Sequence, residues 1–216
     1  MAVGLGLKRA DRKSNAGWLI FAALLPDFML GWFALAGWDG CVAPADYAST
    51  HYLLFDFAWS HSLLAHVVWA AIAGLVAWGV TRRRVASFAA GAATLSHFLL
   101  DGIVHVKGLP LAMSGGPAFG LGLWRFLPAE LSLEVAMAAA GLWMYWLAVK
   151  DTAPRRAGGM AIYIAALTAF LVAGQASASQ APPRGALIAS WILGTPAMAA
   201  IALLLDRRRE RSGEVA

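Results

Sequence analysis

The chain of 216 residues contains a single cysteine, Cys41. One thiol cannot form an intramolecular disulfide, and it cannot supply a Cys-x-x-Cys motif or a thiolate metal site. Disulfide scaffolds, dithiol redox proteins and cysteine-rich zinc modules are therefore excluded. A metal site in this chain would have to use histidine and carboxylate side chains.

Charged residues are also scarce, at 13% of the chain, whereas hydrophobic residues make up 60%. An ordinary soluble domain has about 25% charged residues, so this composition is typical of a polytopic membrane protein. The formal net charge of +5 would suggest nucleic acid as the partner of a soluble chain. Here the basic residues lie in clusters between apolar runs, which is a signal of membrane topology, and no nucleic-acid partner is expected.

Six apolar runs are long enough to cross a hydrocarbon core of roughly 30 Å. We predict an all-α, polytopic transmembrane helix bundle that forms one integral membrane domain over residues 1–216. Its six spans lie at about 17–38, 57–80, 85–106, 129–149, 158–176 and 185–205. A signal peptide is the competing interpretation of the first run, because Ala34-Leu35-Ala36 resembles a cleavage site. The run is too long for an h-region of about 7 to 15 residues, so a retained span is favoured.

Basic residues are distributed unevenly among the loops. The N-terminal, 82–84, 150–156 and C-terminal clusters hold 14 of the 17 lysine and arginine residues. Only Lys107, Arg125 and Arg184 fall in the alternate loops. The positive-inside rule therefore predicts that both termini are cytoplasmic and that loops 39–56, 107–128 and 177–184 are outside.

The third span carries a histidine, an aspartate and a second histidine at four-residue spacing, namely His97, Asp101 and His105. On a helix this spacing places the three side chains in one stripe. An aspartate in the middle of a membrane costs roughly 2.5 to 3.5 kcal/mol, so such groups normally face a bundle interior and serve a function. In the predicted orientation, His61 of span two reaches a similar depth in the outer half, and Asp27 lies near the middle of span one, beside a bend expected at Pro26.

Imidazole and carboxylate are the usual ligands of zinc and similar divalent metals when no thiolate is available. We predict a divalent metal site, with zinc as the expected ion and His61, His97 and Asp101 as ligands. Asp27, Asp56 and His105 are expected to be further ligands or hydrogen-bond partners of the ligands. Asp56 or Glu134, where uncoordinated, is the expected general base. A purely structural role for the cluster stays open, and for His66 simple hydrogen bonding to a neighbouring helix is favoured.

Several motifs together resemble a known family. They are Leu25-Pro26-Asp27, Asp56 with Ser60-His61-Ser62-Leu63, Ser96-His97-x-x-x-Asp101-x-x-x-His105, Leu109-Pro110-Leu111 and Gly120-Leu121-Gly122-Leu123-Trp124. Over roughly residues 20 to 150 the chain resembles the membrane-bound metal-dependent hydrolases, small proteins of the bacterial inner membrane that include the LexA-regulated hydrolases. The resemblance implies a helical protein of the bacterial inner (cytoplasmic) membrane with a His/Asp metal site and a hydrolase activity.

The chain departs from this family pattern at two positions. Gly108 stands where a carboxylate is usual, and Arg125 stands where an asparagine is usual. Lys107 and Arg125 border the predicted site and would suit an anionic group such as a lipid phosphate, because a nearby cation stabilises phosphoryl charge. Snorkelling of both side chains to the membrane interface is the alternative.

Two functions of different classes follow from these features. The first is a metal-dependent hydrolase that acts on a lipid or a lipid-linked phosphate or ester. The second is an ion- or proton-coupled transporter that uses the intramembrane His/Asp cluster. Apolar inner halves of the spans, as in Ala70-Ala71-Ile72-Ala73-Gly74, disfavour the transporter. A metal-stabilised structural protein is a third interpretation. The expected partners are the lipid bilayer and a lipid-like or anionic substrate, and the oligomeric state is left open.

Overall fold

The computed structural model describes residues 1–207, so Arg208, Arg209 and Arg211 of the predicted C-terminal basic cluster lie outside the described residues. The helices are α1 (Ala2–Leu7), α2 (Ala16–Ala23), α3 (Leu25–Ala36), α4 (Tyr47–Thr50), α5 (Ala58–His61), α6 (Leu63–Thr81), α7 (Arg84–Val104), α8 (Leu127–Val149), α9 (Pro154–Ser177), α10 (Arg184–Ala189) and α11 (Thr195–Leu205). A 3₁₀ turn (Leu123–Arg125) precedes α8, and a π-helical segment (Ser190–Gly194) joins α10 to α11. The strands are β1 (Gly40–Val42), β2 (Leu54–Asp56), β3 (Leu109–Ala112) and β4 (Gly115–Phe119).

Five helical segments are long and apolar enough to cross a membrane: Leu63–Thr81, Arg84–Val104, Leu127–Val149, Pro154–Ser177 and Arg184–Leu205. Only 17% to 33% of the apolar window of each segment is buried inside the protein. The remaining apolar surface therefore faces outward, where water would be a poor solvent for it. This arrangement agrees with the predicted helical membrane bundle.

The first predicted span consists of two helices, α2 and α3, that together give a sixth crossing if the bent pair forms one span. Their axes differ by 49° at the break. The break falls at Leu24, and Pro26 lies in the first turn of α3, where its missing N–H group breaks no helical hydrogen bond. The bend predicted from Pro26 is therefore present just before the proline, and the regular helix is interrupted after Ala23, at Leu24.

The N-terminal helix α1 has no counterpart among the sequence predictions. It packs against α2 and α8 and also contacts α7. A side chain at Gly4 would come within 2.7 Å of the Leu19–Ile20 backbone, and one at Gly141 would overlap the backbone of Ala2. Glycine at both positions thus permits close backbone contact. Within residues 1–207, α7 and α8 form no extended contact with one another, and α1 fills part of the gap between them.

The end of the bundle that carries Lys8, Arg83, Lys150 and Arg207 is called the basic end. There the side chain of Lys8 donates to the buried carboxylate of Asp206 at 2.7 Å. The same carboxylate accepts from the backbone N–H of Ala16 at 2.8 Å and from the hydroxyl of Tyr145 at 2.9 Å. One carboxylate therefore joins α1, α2, α8 and the end of α11.

A second ion pair at the basic end joins Arg83 to Asp11 in the turn before α2. Burial alone would raise the pKa of Asp11, but hydrogen bonds from Ser14 and Arg83 outweigh it and lower the pKa below the ordinary value. The folded state thus favours the ionised carboxylate.

Two short antiparallel hairpins lie at the opposite end, in loops that the all-α prediction treats as irregular. Strand β1 pairs with β2, and β3 pairs with β4 through an irregular register near Pro110. The second hairpin docks on the last turns of α7, because the ring of Phe119 occupies the space where a side chain at Gly102 would lie. In addition, the N–H of Leu121 donates to the Gly102 carbonyl at 2.8 Å.

Candidate metal centre

Four side chains from three parts of the chain converge in the half of the bundle away from the basic end. Asp27 lies in the first turn of α3, His61 is the last residue of α5, and His97 and Asp101 lie one turn apart on α7. The side chain of His61 is 2% exposed, and that of Asp101 is 17% exposed. A single ionisable side chain buried inside an apolar bundle is costly in free energy. Because these four side chains lie close together, each partly compensates the others.

The separations among these side chains match those of atoms bound to one ion. The Oδ1 atom of Asp27 lies 3.6 Å from Nε2 of His61 and 3.6 Å from Nε2 of His97. The Oδ2 atom of Asp101 lies 3.5 Å and 3.2 Å from the same two nitrogens. Bond lengths of about 2.0 to 2.2 Å to a tetrahedral zinc ion give ligand atoms roughly 3.3 to 3.6 Å apart. Three of these four contacts are longer than a good N–H···O hydrogen bond.

Asp27, His61 and His97 form a group that could hold a metal ion, since each offers one ligand atom and these atoms all lie within 4.8 Å of one another. Asp101 lies outside this group of mutually close atoms, although its Oδ2 is near both imidazole nitrogens. The residues described therefore supply two imidazole nitrogens and two carboxylates, which is a donor set suited to a divalent ion such as zinc.

The tautomer of His97 strengthens this interpretation. Its Nδ1 lies 2.8 Å from the backbone carbonyl of Ala23, which can only accept, so Nδ1 carries a hydrogen. In the neutral ring, Nε2 then presents a lone pair to two carboxylates. That contact is repulsive unless a proton or a metal ion lies between the atoms. The carbonyl of Ala23 is available because α2 ends there, at the bend before α3.

His61 is held in a similar way by the residue that precedes it. Its Nδ1 lies 2.7 Å from the hydroxyl oxygen of Ser60, and its ring stacks on Phe57 with centroids 4.6 Å apart. The hydroxyl proton of Ser60 can point to the Phe57 carbonyl, 3.5 Å away, which leaves the oxygen to accept from Nδ1. Both imidazoles thus direct Nε2 toward the carboxylates.

Asp39 is a contributor that the sequence does not single out. Its two carboxylate oxygens accept from the backbone N–H groups of Trp59 at 3.1 Å and Ser60 at 2.9 Å. These are the second and third residues of α5, so Asp39 acts as a remote N-cap for the short helix that ends in His61. Burial raises the pKa of Asp39 above its ordinary value, although these hydrogen bonds oppose the shift. No sequence spacing links residues so far apart.

His66 lies beside the imidazoles of His61 and His97, although the sequence predicts for it only a hydrogen bond to a neighbouring helix. It is fully buried, and its ring centroid is 5.5 Å from that of His61 and 5.7 Å from that of His97. Its Nδ1 donates at 3.0 Å to the carbonyl of Ser62, which is the N-cap of its own helix α6, so the predicted bond to a neighbouring helix is not formed by this nitrogen. Its Nε2 has no hydrogen-bond partner among the described residues, so one buried acceptor faces the imidazole cluster unsatisfied.

His105 contacts the centre through one residue only among the described ion pairs. Its Nε2 lies 3.5 Å from Oδ2 of Asp101. Its ring is held by Trp124, with centroids 4.1 Å apart, and by Phe57 at 5.0 Å. The position of His105 is compatible with two roles, namely orientation of Asp101 and direct coordination of the ion.

A cavity of about 290 Å³ adjoins the cluster between α7, α8 and α9. His97 and Asp101 line it together with Glu130 and Glu134 of α8. Glu130 is buried and accepts from the Gln175 side chain at 3.4 Å, whereas Glu134 is exposed to the cavity. The structure thus brings one candidate base, Glu134, to the space beside the predicted ligands.

The other predicted site residues lie further out. Asp56 is an exposed residue at the end of β2, paired with Gly40, and it does not line the cavity beside His97. Lys107 and Arg125 are exposed in the segment between α7 and α8 and do not line that cavity either. The contact of these two cations with an anionic substrate stays a prediction.

Comparison with known proteins adds no further information. No protein-family model, no curated protein and no solved structure matches the chain. The function must therefore be argued from the residues and their geometry.

Proposed function

We propose that this chain is a membrane-embedded, metal-dependent hydrolase that acts on a lipid or a lipid-linked phosphate or ester. The observation that carries the proposal is that Nε2 of His61 and Nε2 of His97 each lie 3.2 to 3.6 Å from two carboxylates, separations near those of ligands to one ion. A cation between the carboxylates and the imidazole nitrogens is attracted to all of them. Ionisable residues are costly to bury in a membrane, and the binding of an ion gives these residues a function that offsets this cost.

In the proposal Asp27, His61, His97 and Asp101 hold a divalent ion, expected to be zinc. When bound, such an ion lowers the pKa of a water toward about 7 and polarises an ester or phosphoryl oxygen. His105 and Asp39 hold Asp101 and His61 in position. Glu134 lines the same cavity, beside Glu130, and in the proposal it takes a proton from the attacking water and returns it to the leaving group.

The proposed orientation follows from the basic end. Because Lys8, Arg83, Lys150 and Arg207 gather there, we place that end in the cytoplasm of a bacterium, with the protein in the inner membrane. The metal centre then lies in the outer half of the bilayer. Lys107 and Arg125 extend from the outer loop and are available to an anionic head group at the interface.

A transporter is less consistent with the packing of the bundle. Ions that pass the His/Asp cluster would need a polar path to the basic end. Between the cluster and that end, Leu5 is fully buried, and the residues that line the cavity along α1 and α8 are apolar apart from Arg9. The hydrolase proposal therefore has the better support.

The proposal is tested by activity in a bilayer. Zinc-loaded protein in nanodiscs is incubated with long-chain p-nitrophenyl esters and p-nitrophenyl alkyl phosphates. We expect hydrolysis that a chelator abolishes and zinc restores, and a loss of roughly 100-fold or more in kcat for Glu134→Gln without loss of metal. The matched control is His51→Gln, a change in the loop after α4. Stoichiometric zinc without hydrolysis, together with proton or ion flux in vesicles, would favour the transporter instead.

A further inference from the structure

A second cavity lies along the seam between α1 and α8. It has a volume of about 550 Å³, and it is lined by small and apolar residues that include Gly6, Ala140 and Met144. Among its lining residues only Arg9, near the basic end, carries a charge. Ala10 and Ala140 are exposed, so the cavity is open to the surroundings of the bundle and is not enclosed in its core.

The two cavities are neighbours along α8. Ala2 and Met137 line both of them. Met137 lies about midway along α8, with Glu134 on one side and Met144 on the other. At 1.5 Å per residue, the path along α8 from Glu134 to Met144 is roughly 15 Å. The apolar lining of the seam therefore ends beside the cavity that His97 and Asp101 line.

The seam opens at the surface of the bundle. Its lining residues Arg9, Ala10 and Ala140 are exposed, and Met144 is 41% exposed. Leu133 and Leu100 line the smaller cavity and are partly exposed. The opening lies on a face whose surroundings, in a membrane, are lipid chains.

We propose that the α1–α8 seam holds the hydrocarbon chain of one membrane lipid and presents that lipid's polar group to His97 and Asp101. This identification of the lipid as the substrate rests on the proposed function, whereas occupation of the seam does not. The lining of the seam is apolar apart from Arg9 near the basic end. Polar side chains lie where the seam meets the smaller cavity. This order matches the apolar chain and the polar head group of a lipid.

A peptide helix does not fit the same space. One turn of a helix about 10 Å across occupies roughly 420 Å³, so the seam would accept little more than a single turn. A flexible chain of methylene groups can follow a narrow bend past Met137. The thioether side chains of Met137 and Met144 suit such a lining, because methionine adapts its shape to an irregular partner.

The seam can be tested by photochemical labelling. The protein is reconstituted in phosphatidylcholine nanodiscs that contain a phosphatidylcholine tracer with a diazirine at the end of one acyl chain. After irradiation, adducts are located by mass spectrometry. We expect adducts on Met137 and Met144 at several times the yield on Val135, an α8 residue outside the seam whose 47% exposure is close to the 41% of Met144.

A matched pair of variants separates the seam from the outer surface. Ala140→Trp fills the seam, whereas Ala139→Trp alters a neighbouring exposed position that does not line it. We expect at least a fivefold loss of labelling at Met144 in the first variant and none in the second. Ala140→Leu, a smaller change, gives an intermediate loss and covers the case in which the tryptophan variant fails to fold.

Labelling is carried out on metal-free and zinc-loaded protein. Equal labelling of both Trp variants, uniform labelling of all outward faces, or crosslinks to a second copy at the seam would each overturn the proposal. Seam labelling in a protein that hydrolyses no ester or phosphate would support the seam and contradict the proposed function. Hydrolysis of ester probes without seam labelling would support the proposed function and contradict the occupation of the seam by a lipid.

Discussion

Replacement of Asp39 by alanine tests how the short helix α5 positions His61. The change removes both acceptors for the N–H groups of Trp59 and Ser60 and leaves these donors buried at the start of the helix. The N-cap residue of α5 is Phe57, whose side chain cannot replace them. We expect His61 to lose its fixed position while its own side chain is unchanged.

The size of the effect follows from the two hydrogen bonds. Loss of an N-cap side chain costs about 0.5 to 2 kcal/mol, typically near 1. If this cost falls on the metal-bound conformation, zinc affinity drops by roughly 2- to 30-fold, because about 1.4 kcal/mol corresponds to a factor of ten. Changes to groups that orient metal ligands typically cost about 10- to 100-fold, so we expect a loss near tenfold. Asp39→Asn keeps one acceptor oxygen and should lose less.

The assay is competition for zinc between the protein and a fluorescent chelator, in nanodiscs at neutral pH. Asp46→Ala, a change in the exposed loop before α4, is the matched control and should retain wild-type affinity. Unchanged zinc affinity in Asp39→Ala, with the variant folded, would refute the argument that the cap of α5 positions His61.

Three further predictions concern packing around the site and the basic end. Gly102→Ala should displace the β3–β4 hairpin, because the ring of Phe119 occupies the space of the new methyl group. Proteolysis of the hairpin should therefore be faster in this variant than in Gly79→Ala, the control, whose new methyl group lies in open space. Asp206→Ala should lower stability by about 3 to 5 kcal/mol, because it leaves a buried lysine unpaired, and thermal unfolding should show this as a large decrease in Tm. Asp11→Asn should destabilise the protein at neutral pH, and the difference from wild type should shrink as the pH falls from about 4 through the lowered pKa of Asp11, because protonation of the wild-type carboxyl removes the same ion pair.

Local patterns in the sequence were sufficient for the helices and for part of the site. The apolar runs predict four of the long helices to within four residues, since the length of each run reflects a bilayer and not a tertiary contact. The span predicted at 57–80 begins only at Leu63, because the short helix α5 and the break at Ser62 precede it. The four-residue spacing places His97 and Asp101 on one face of α7 because a helix has a fixed periodicity. The convergence of Asp27 and His61 on this face was predicted from depth alone, and the structure brings them together.

Other features depend on contacts between distant parts of the chain. The close packing of α1 depends on Gly4, which lies against the α2 backbone, and on Gly141 of α8, which lies against the backbone of Ala2, and neither glycine signals this in its own segment. The break between α5 and α6 at Ser62 changes the direction in which His61 and His66 point, so helical spacing could not relate them. Asp39 reaches α5 across the β1–β2 hairpin, and no periodic pattern spans that distance.

The central claim is that one divalent ion is held by Asp27, His61, His97 and Asp101. The most direct measurement is elemental analysis of zinc-reconstituted protein after removal of free metal, with wild type, His97→Ala and the control His51→Ala side by side. The account predicts one zinc per chain in wild type and in the control, and less than about a tenth of that in His97→Ala. Wild-type protein that retains no metal, or a His97→Ala variant that retains a full equivalent, would contradict it.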